Sequence, residues 1–181
     1  MNRKIALQEA DGDLQLLYAK FLELKETLDA KMLSDFKRNL PFADVLFDRW
    51  EKAQLLGFGD GTSVYDSCHV FGNVQVGKNT WIGPFTILDG SGQLSIGSNC
   101  SISAGVNIYT HDTVDWAVSG GELPYRYAPV SIGDRCYIGP QTIIALGVVL
   151  GDGCIVGANS FVNKSFPSGS KIAGNPAKLI G

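Results

Sequence analysis

Apolar residues follow two different patterns along the chain, one before residue 63 and one after it. From Asp13 to about Asn39 they return at steps of three and four, with lysine and glutamate between them. This spacing is typical of one face of an amphipathic helix. Leu40-Pro41 interrupts the pattern, and a second helix is predicted from Phe42 to near Gly57. Residues 1–63 are therefore predicted to form a helical segment.

Beyond residue 63, branched aliphatic residues return every sixth residue, a period that fits neither a helix nor a strand. The period slips by two residues between Leu88 and Ile96 and then continues on the new phase to Val162. Glycine often follows the aliphatic residue directly, and the fourth residue after it is small or of medium size. The aliphatic positions are Val64, Val70, Val76, Ile82, Leu88, Ile96, Ile102, Ile108, Ile132, Ile138, Ile144, Leu150, Val156 and Val162.

Such a repeat predicts a coil of short strands, in which each aliphatic side chain points inward and stacks on the one a full coil away. Neighbouring coils pair main chain to main chain at about 4.8 Å. The small residue fills a corner, and the glycine is expected to permit the backbone angles of the bend. Residues 64–181 are therefore predicted to form an all-β parallel β-helix, with a loop inserted at about residues 112–129.

Composition separates the same two segments. The chain has 181 residues, a formal net charge of −3 and 22 glycines, well above the usual share of roughly 7%. Residues 1–63 hold 20 of the 33 charged side chains and 4 glycines, whereas the rest of the chain holds 13 and 18. The negative charge argues against a nucleic-acid partner. No run approaches the ~18 apolar residues of a membrane span, and no signal peptide is recognisable, so we expect a cytoplasmic protein.

The cysteines and histidines restrict the possible chemistry. Cys68, Cys100, Cys136 and Cys154 all stand four residues after an aliphatic position, so we expect small interior side chains rather than disulfides. Burial also argues against a cysteine nucleophile. The chain has two histidines, too few for a zinc site with three histidine ligands, and we expect no metal.

The candidate chemistry lies where the period breaks. Ile108 and Ile132 are 24 residues apart on one phase, and His111 stands at the start of the intervening loop. Histidine is the side chain that accepts a proton near neutral pH, although the residues alone leave its catalytic role open. The substrate-binding candidates, from the loop and from the two-residue slip, are Asp89, Asp112, Trp116, Tyr125 and Arg126.

The repeats of residues 64–180 resemble those of the hexapeptide-repeat, or left-handed β-helix, acyltransferases. Within that family, the segment Tyr109-Thr110-His111-Asp112 is similar to the one that carries the catalytic histidine of sugar O-acetyltransferases of the galactoside, maltose and surface-polysaccharide type. The resemblance implies three hexads per coil, left-handed winding and a homotrimer. With 18 residues per coil, the repeats would make between four and five coils.

The resemblance also implies an activity. The chain would transfer an acetyl group from acetyl-CoA to a hydroxyl of a saccharide, in bacterial surface-polysaccharide biosynthesis, with His111 as general base. The segment Ala173–Ile180 looks like the closing segment of acetyl-CoA-dependent members. Matching positions are Ala145 and Ala158 beside the pantetheine, Asn163 and Lys164 towards the nucleotide, and Lys178 near its phosphates. Two positions depart from the family pattern, Pro140 at a common hydroxyl position and Gly181 at a common arginine position.

Two alternatives remain open from the sequence. In the first, the fold and the donor are the same, but the acceptor is an amino group on a nucleotide-linked sugar. In the second, the chain is a non-catalytic β-helix that serves as an assembly subunit and binds no acetyl-CoA. The helical segment either forms a packing cap or subunit contact or helps to shape an acceptor pocket.

Overall fold

The computed structural model describes residues 11–180. The chain divides into two compact units, residues 1–46 and residues 47–181. In the first unit lie helices α1 (Gly12–Phe36) and α2 (Phe42–Leu46), and the rings of Phe21 and Phe42 make an edge-to-face contact. The carboxylate of Asp11 caps α1 by accepting a hydrogen bond from the backbone N–H of Leu14 at 2.9 Å. The predicted first helix is confirmed.

The predicted second helix is wrong as one continuous element. It is two helices, α2 and α3 (Arg49–Leu55), because Asp48 between them is extended and caps α3 by accepting from the backbone N–H groups of Trp50 and Glu51. The ammonium group of Lys52 on α3 donates to backbone carbonyl oxygens at the start of the strands, among them that of Asp66 at 2.9 Å. These bonds tie α3 to the second unit, so the units divide after residue 46, whereas the sequence boundary was expected after residue 63.

The second unit is the predicted parallel β-helix. Its elements, in chain order after α3, are β1 (Ser63–Val64), β2 (His69–Val76), β3 (Trp81–Ile82), β4 (Ile87–Ile96), β5 (Ser101–Ile102), β6 (Asn107–Ile108), β7 (His111–Asp112), helix α4 (Val114–Val118), β8 (Arg126–Tyr127), β9 (Val130–Ile132), β10 (Tyr137–Ile138), β11 (Ile143–Ile144), β12 (Val149–Leu150), β13 (Ile155–Val156), β14 (Phe161–Val162), β15 (Lys171–Ala173) and β16 (Lys178–Leu179).

Strand pairing arranges these elements in three faces. The first face has the order β1-β3-β5-β10-β13-β15-β16. The second face contains the start of β2 and of β4, then β6, β11 and β14, and the third face contains the ends of β2 and β4, then β9 and β12. We call the edge where the chain leaves the second face and enters the third the loop corner. It comprises residues 71–74, 89–93, 109–129, 145–148 and 163–165.

The aliphatic period forms the core, as predicted, except that Val70 is only partly buried. On the first face the stacked side chains are fully buried at every parallel level: Val64, Ile82, Ile102, Ile138, Val156 and Ile172 each have 0% exposure. This face has seven strands, of which β16 is antiparallel. The six parallel strands correspond to six coils, more than the four to five coils predicted. The sixth coil was not predicted because its buried residue, Ile172, does not follow the six-residue period.

The repeated glycines have a different cause from the one expected. Gly83 and Gly97 follow aliphatic positions, yet their φ angles are not positive. A Cβ on Gly83 would lie 2.7 Å from the backbone nitrogen of Ala104, and one on Gly97 would lie 2.7 Å from the backbone nitrogen of Asp134. These glycines allow the close approach of the next coil rather than the bend itself.

Two neighbouring isoleucines of β11 test this account of the core. Ile144 is fully buried, whereas Ile143 is 40% exposed. We expect Ile144→Ala to lower the free energy of unfolding by about 2–5 kcal/mol, because it removes buried methyl groups and leaves a cavity. Ile143→Ala, the matched control, should cost about 1 kcal/mol or less. Urea unfolding followed by circular dichroism measures both, and equal losses would contradict the assignment of the core.

Within residues 11–180, no helix is long and apolar enough to cross a membrane.

Candidate active site

The inserted loop folds back on itself at the loop corner. After β6 the chain leaves the second face, and β7 pairs antiparallel with β8. The register places His111 opposite Tyr127 and Asp112 opposite Arg126. This short ribbon holds His111 at the edge of the β-helix, with its side chain 33% exposed.

A buried carboxylate holds the imidazole of His111. The Nδ1 atom lies 2.6 Å from Oδ2 of Asp89, a residue that is 1% exposed. Oδ2 also accepts from the backbone N–H of Thr110 at 2.8 Å, and Oδ1 accepts from that of Ser91 at 3.0 Å. Burial alone would raise the pKa of Asp89. The hydrogen bonds from Ser91, Thr110 and His111 outweigh it and hold the pKa well below its usual value.

The ionised carboxylate determines which ring nitrogen of His111 carries the proton. A carboxylate at the low pKa of Asp89 can only accept hydrogen bonds, so Nδ1 must be the donor at 2.6 Å. The lone pair of Nε2 is then available on the opposite side of the ring. The arrangement is that of a general base whose tautomer and orientation are fixed by a buried acid.

Two further residues support His111 and were missed in the sequence. Thr110 is fully buried, and its hydroxyl donates to the backbone oxygen of Asp89 and accepts from the backbone N–H of Gly92, both at 2.8 Å. The ring of Tyr127 stacks on the imidazole of His111 with centroids 5.8 Å apart. The period alone could have placed Thr110 next to Asp89 on adjacent coils, but the position of Tyr127 depends on the fold of the loop.

The structure changes the roles expected for three binding candidates. Asp89 does not face an acceptor, because it is buried and both its oxygens are hydrogen-bonded. Asp112 and Arg126 pair with each other through two bonds of 3.1 and 2.6 Å, and Asp115 lies 3.4 Å from the same guanidinium. The bond from Arg126 lowers the pKa of Asp112. These ion pairs stabilise the loop by connecting β7 to β8.

The other two binding candidates lie on the outer part of the loop. Trp116 on α4 and Tyr125 make an edge-to-face contact with ring centroids 5.6 Å apart. Both remain more than two-fifths exposed. They therefore present aromatic surface near the start of β8, where a ligand can reach it.

The predicted donor-binding residues do not all lie at the same edge of the β-helix. Ala145, Asn163 and Lys164 lie at the loop corner, on the two coils that follow the coil of His111. Ala158 precedes β14 and so lies at the opposite edge of the second face. Lys178 lies on β16, which pairs with β15 at the end of the first face. Three of the five thus lie at the same edge of the β-helix as His111.

The cysteines lie inside the coils, as predicted. All four are buried and none forms a disulfide. The backbone N–H of Cys136 donates to the sulfur of Cys100 at 3.4 Å, one coil away. Their side-chain hydrogen bond lowers the pKa of Cys100 to about 7 and raises that of Cys136. Across the described residues 11–180, no group of three or more potential ligands is arranged to hold a metal ion.

The ionised state of Asp89 predicts a pH-dependent loss of stability. Because its pKa is lowered by folding, the carboxylate stabilises the native state above about pH 4, and this contribution is lost as the pH falls through the lowered value. Asp89→Asn should therefore cost about 1–3 kcal/mol at pH 7, through buried donors left unpaired. The difference from the unsubstituted protein should shrink below pH 4. Urea unfolding at pH 7 and pH 3 measures it, and a difference that grows in acid would contradict the assignment.

Comparisons with known proteins agree with this architecture. A family model described as the hexapeptide repeat of succinyl-transferase matches residues 129–164. The putative colanic acid biosynthesis acetyltransferase WcaF of Escherichia coli is 33% identical over 109 residues, which cover 59% of this chain and 57% of that protein. The chain thus spans a little over half the length of this curated relative.

Two solved structures share the fold. A mutant of AntD, an N-acyltransferase from Bacillus cereus in complex with dTDP and coenzyme A, is 26% identical with a TM-score of 0.63, covering 68% of this chain and 71% of that one. The hexapeptide-repeat containing acetyltransferase VCA0836 from Vibrio cholerae is 24% identical with a TM-score of 0.65, covering 95% of this chain and 93% of that one. The second likeness concerns the fold alone.

Proposed function

We propose that this chain, a hexapeptide-repeat protein with acetyltransferases among its relatives, is itself an acetyltransferase. It transfers an acetyl group from acetyl-CoA to a hydroxyl group of a saccharide. The observation that carries the proposal is the pair His111–Asp89 at the start of the loop, with Nδ1 and Oδ2 2.6 Å apart. Because the WcaF relative is named for colanic acid biosynthesis, the proposed setting is the synthesis of a bacterial surface polysaccharide in the cytoplasm.

The proposed reaction uses the available lone pair of His111. Nε2 accepts the proton of the sugar hydroxyl while the hydroxyl oxygen bonds to the thioester carbonyl carbon, whose π electrons move onto its oxygen. When the carbonyl re-forms, the carbon–sulfur bond breaks, and the sulfur leaves with its electron pair and takes the proton from Nε2. Asp89 does not react; it holds the ring and stabilises the imidazolium.

The donor would lie along the loop corner. Ala145 is small and half-buried, which leaves space for a pantetheine arm beside the second face. Lys164 is exposed two coils beyond the level of β6, where it can meet a nucleotide phosphate. Roles for Ala158 and Lys178 require a second subunit to bring their edges to the same donor. This requirement supports the proposed homotrimer, which light scattering tests; a monomeric mass would contradict it.

A second candidate function keeps the fold and donor and changes the acceptor to an amino group on a nucleotide-linked sugar. The likeness to AntD, an N-acyltransferase solved with dTDP and coenzyme A, favours it. A neutral amine needs less help from a base than a hydroxyl does, so replacing His111 would then cost less.

One experiment separates these candidates from each other and from a non-catalytic role. The protein is titrated with coenzyme A in a calorimeter, and then incubated with acetyl-CoA and either neutral sugars or nucleotide-linked amino sugars. The proposal predicts coenzyme A binding and an O-acetyl product. An N-acetyl product alone would favour the second candidate, and no binding of coenzyme A would favour an assembly subunit.

A further inference from the structure

A concave surface lies where the loop corner meets the third face. It is a groove of about 350 Å³, counted with its open mouth, and we call it the neutral groove. Two apolar residues of its lining, Leu94 and Val130, are buried, with 2% and 1% exposure. The full lining is Asn73, Gln75, Gln93, Leu94, Ser95, Pro129, Val130 and Ser131.

The lining contains no charged side chain. Three amides, from Asn73, Gln75 and Gln93, each combine a donor and an acceptor, and the hydroxyls of Ser95 and Ser131 are 3.1 Å apart and do the same. Paired donors and acceptors suit sugar hydroxyls, which also donate and accept. A phosphate or a nucleotide diphosphate would call for a cation that this lining does not supply.

Both sides of the groove continue into the site of His111. On one side, the backbone N–H of Gly92 donates to the hydroxyl of Thr110 at 2.8 Å, and Gln93 is the next residue. On the other, Pro129 follows two residues after Tyr127, which stacks on His111, so the chain between them spans at most about 7 Å. The groove and the site of His111 are therefore neighbours along both chain segments.

The backbone at Gln93 is held in an unusual conformation. Its φ of 79° lies in the left-handed region. The other such non-glycine residues of the second unit all lie three residues after an aliphatic position, where each coil turns: Asn79, Phe85, Asn99, Arg135, Gln141 and Asn159. Gln93 instead belongs to the two-residue slip between Leu88 and Ile96. Strained residues of this kind concentrate at binding sites, where the surrounding structure maintains them.

We propose that the neutral groove binds the sugar unit next to the one on which His111 acts. The acceptor is then a neutral oligosaccharide or polysaccharide unit of at least two sugars, rather than a single sugar or a nucleotide sugar. This inference rests on the proposed acetyl transfer to a saccharide and specifies its substrate. The two interruptions of the six-residue period, at residues 88–96 and 109–131, form the groove together with the end of β2, and they also form the site.

Direct binding tests the groove without relying on turnover. The full chain is titrated by calorimetry with galactose and glucose, with their neutral di-, tri- and tetrasaccharides, and with UDP-galactose. We expect a longer saccharide to bind at least about tenfold more tightly than its monosaccharide, an effect of one or two added hydrogen bonds. Gln93→Gly, which keeps the positive φ, and Gln75→Ala should each reduce this preference to about threefold or less.

Asn99→Gly is the matched control. Asn99 is also an exposed amide residue with a positive φ, of 57°, but it lies at the corner between the third and first faces. It should leave the preference for chain length unchanged. Equal affinities for monosaccharides and longer saccharides, a preference that survives both groove variants, or tighter binding of UDP-galactose that depends on Gln93 would each overturn the proposal.

Acetyl transfer, measured in the same samples, distinguishes this inference from the proposed function. Length-dependent binding without transfer to any saccharide would contradict the proposed activity and still support the groove as a saccharide-binding site. Transfer to monosaccharides and longer saccharides with equal KM would support the proposed activity and contradict the proposed role of the groove.

Discussion

His111→Ala is expected to lower the turnover number for acetyl transfer by about 10²- to 10⁴-fold, the range that a general base contributes. The KM for acetyl-CoA should change little, because the proposed donor contacts lie on later coils of the loop corner. Steady-state kinetics with acetyl-CoA and a saccharide acceptor measures both quantities. The fold should persist, since His111 is partly exposed and packs outside the aliphatic core.

His69→Ala is the matched control for this variant. His69 is the other histidine of the chain and lies exposed at the start of β2, where its ring stacks on Phe71. Its loss should leave turnover within about twofold of the unsubstituted value, since no proposed step uses it. Near-normal turnover by His111→Ala, or an equal loss in both variants, would exclude His111 as the base.

Asp89→Asn is expected to have the next largest effect, a loss of about 100-fold in the turnover number. The asparagine amide can donate to Nδ1 of His111, which would move the ring proton to Nε2 and remove the lone pair that accepts the hydroxyl proton. Asp89 is a positioning residue, so the KM for the acceptor should change far less than the turnover number does.

¹⁵N NMR of His111 separates this role from a merely structural one, because it reports which ring nitrogen carries the proton. With Asp89 present, Nδ1 lies 2.6 Å from Oδ2 of Asp89 and should carry the proton. In Asp89→Asn the proton should lie on Nε2 instead. A loss of turnover with the proton still on Nδ1 would mean that Asp89 only supports the fold.

Much of the fold could be predicted because the β-helix repeats one physical requirement. Each coil must bury an aliphatic side chain on each face, so residues such as Ile102 and Ile138 recur at fixed spacing and are fully buried. The prediction failed where other constraints replace the period. Asp48 breaks the second helix by capping a new one, and Ile172 continues the core off the six-residue phase.

The site was only partly predictable for a related reason. The contact between Asp89 and His111 follows from the stacking of coils, since Leu88 pairs with Ile108 one coil later. Asp89 was nevertheless expected to bind a substrate, because a carboxylate beside a break in the period does not reveal which way it faces. The pairing of Asp112 with Arg126 depends on the register of β7 and β8, which no periodic pattern encodes.

The chemical identity of the product tests directly whether the protein transfers an acetyl group to a sugar hydroxyl. The protein is incubated with acetyl-CoA labelled with ¹³C in the acetyl group and with neutral oligosaccharides, and the product is examined by NMR before and after mild alkali. We predict a labelled ester on a sugar oxygen that alkali removes and that His111→Ala does not form above background. A label found only in an alkali-stable amide, or an ester formed equally well by His111→Ala, would contradict the claim.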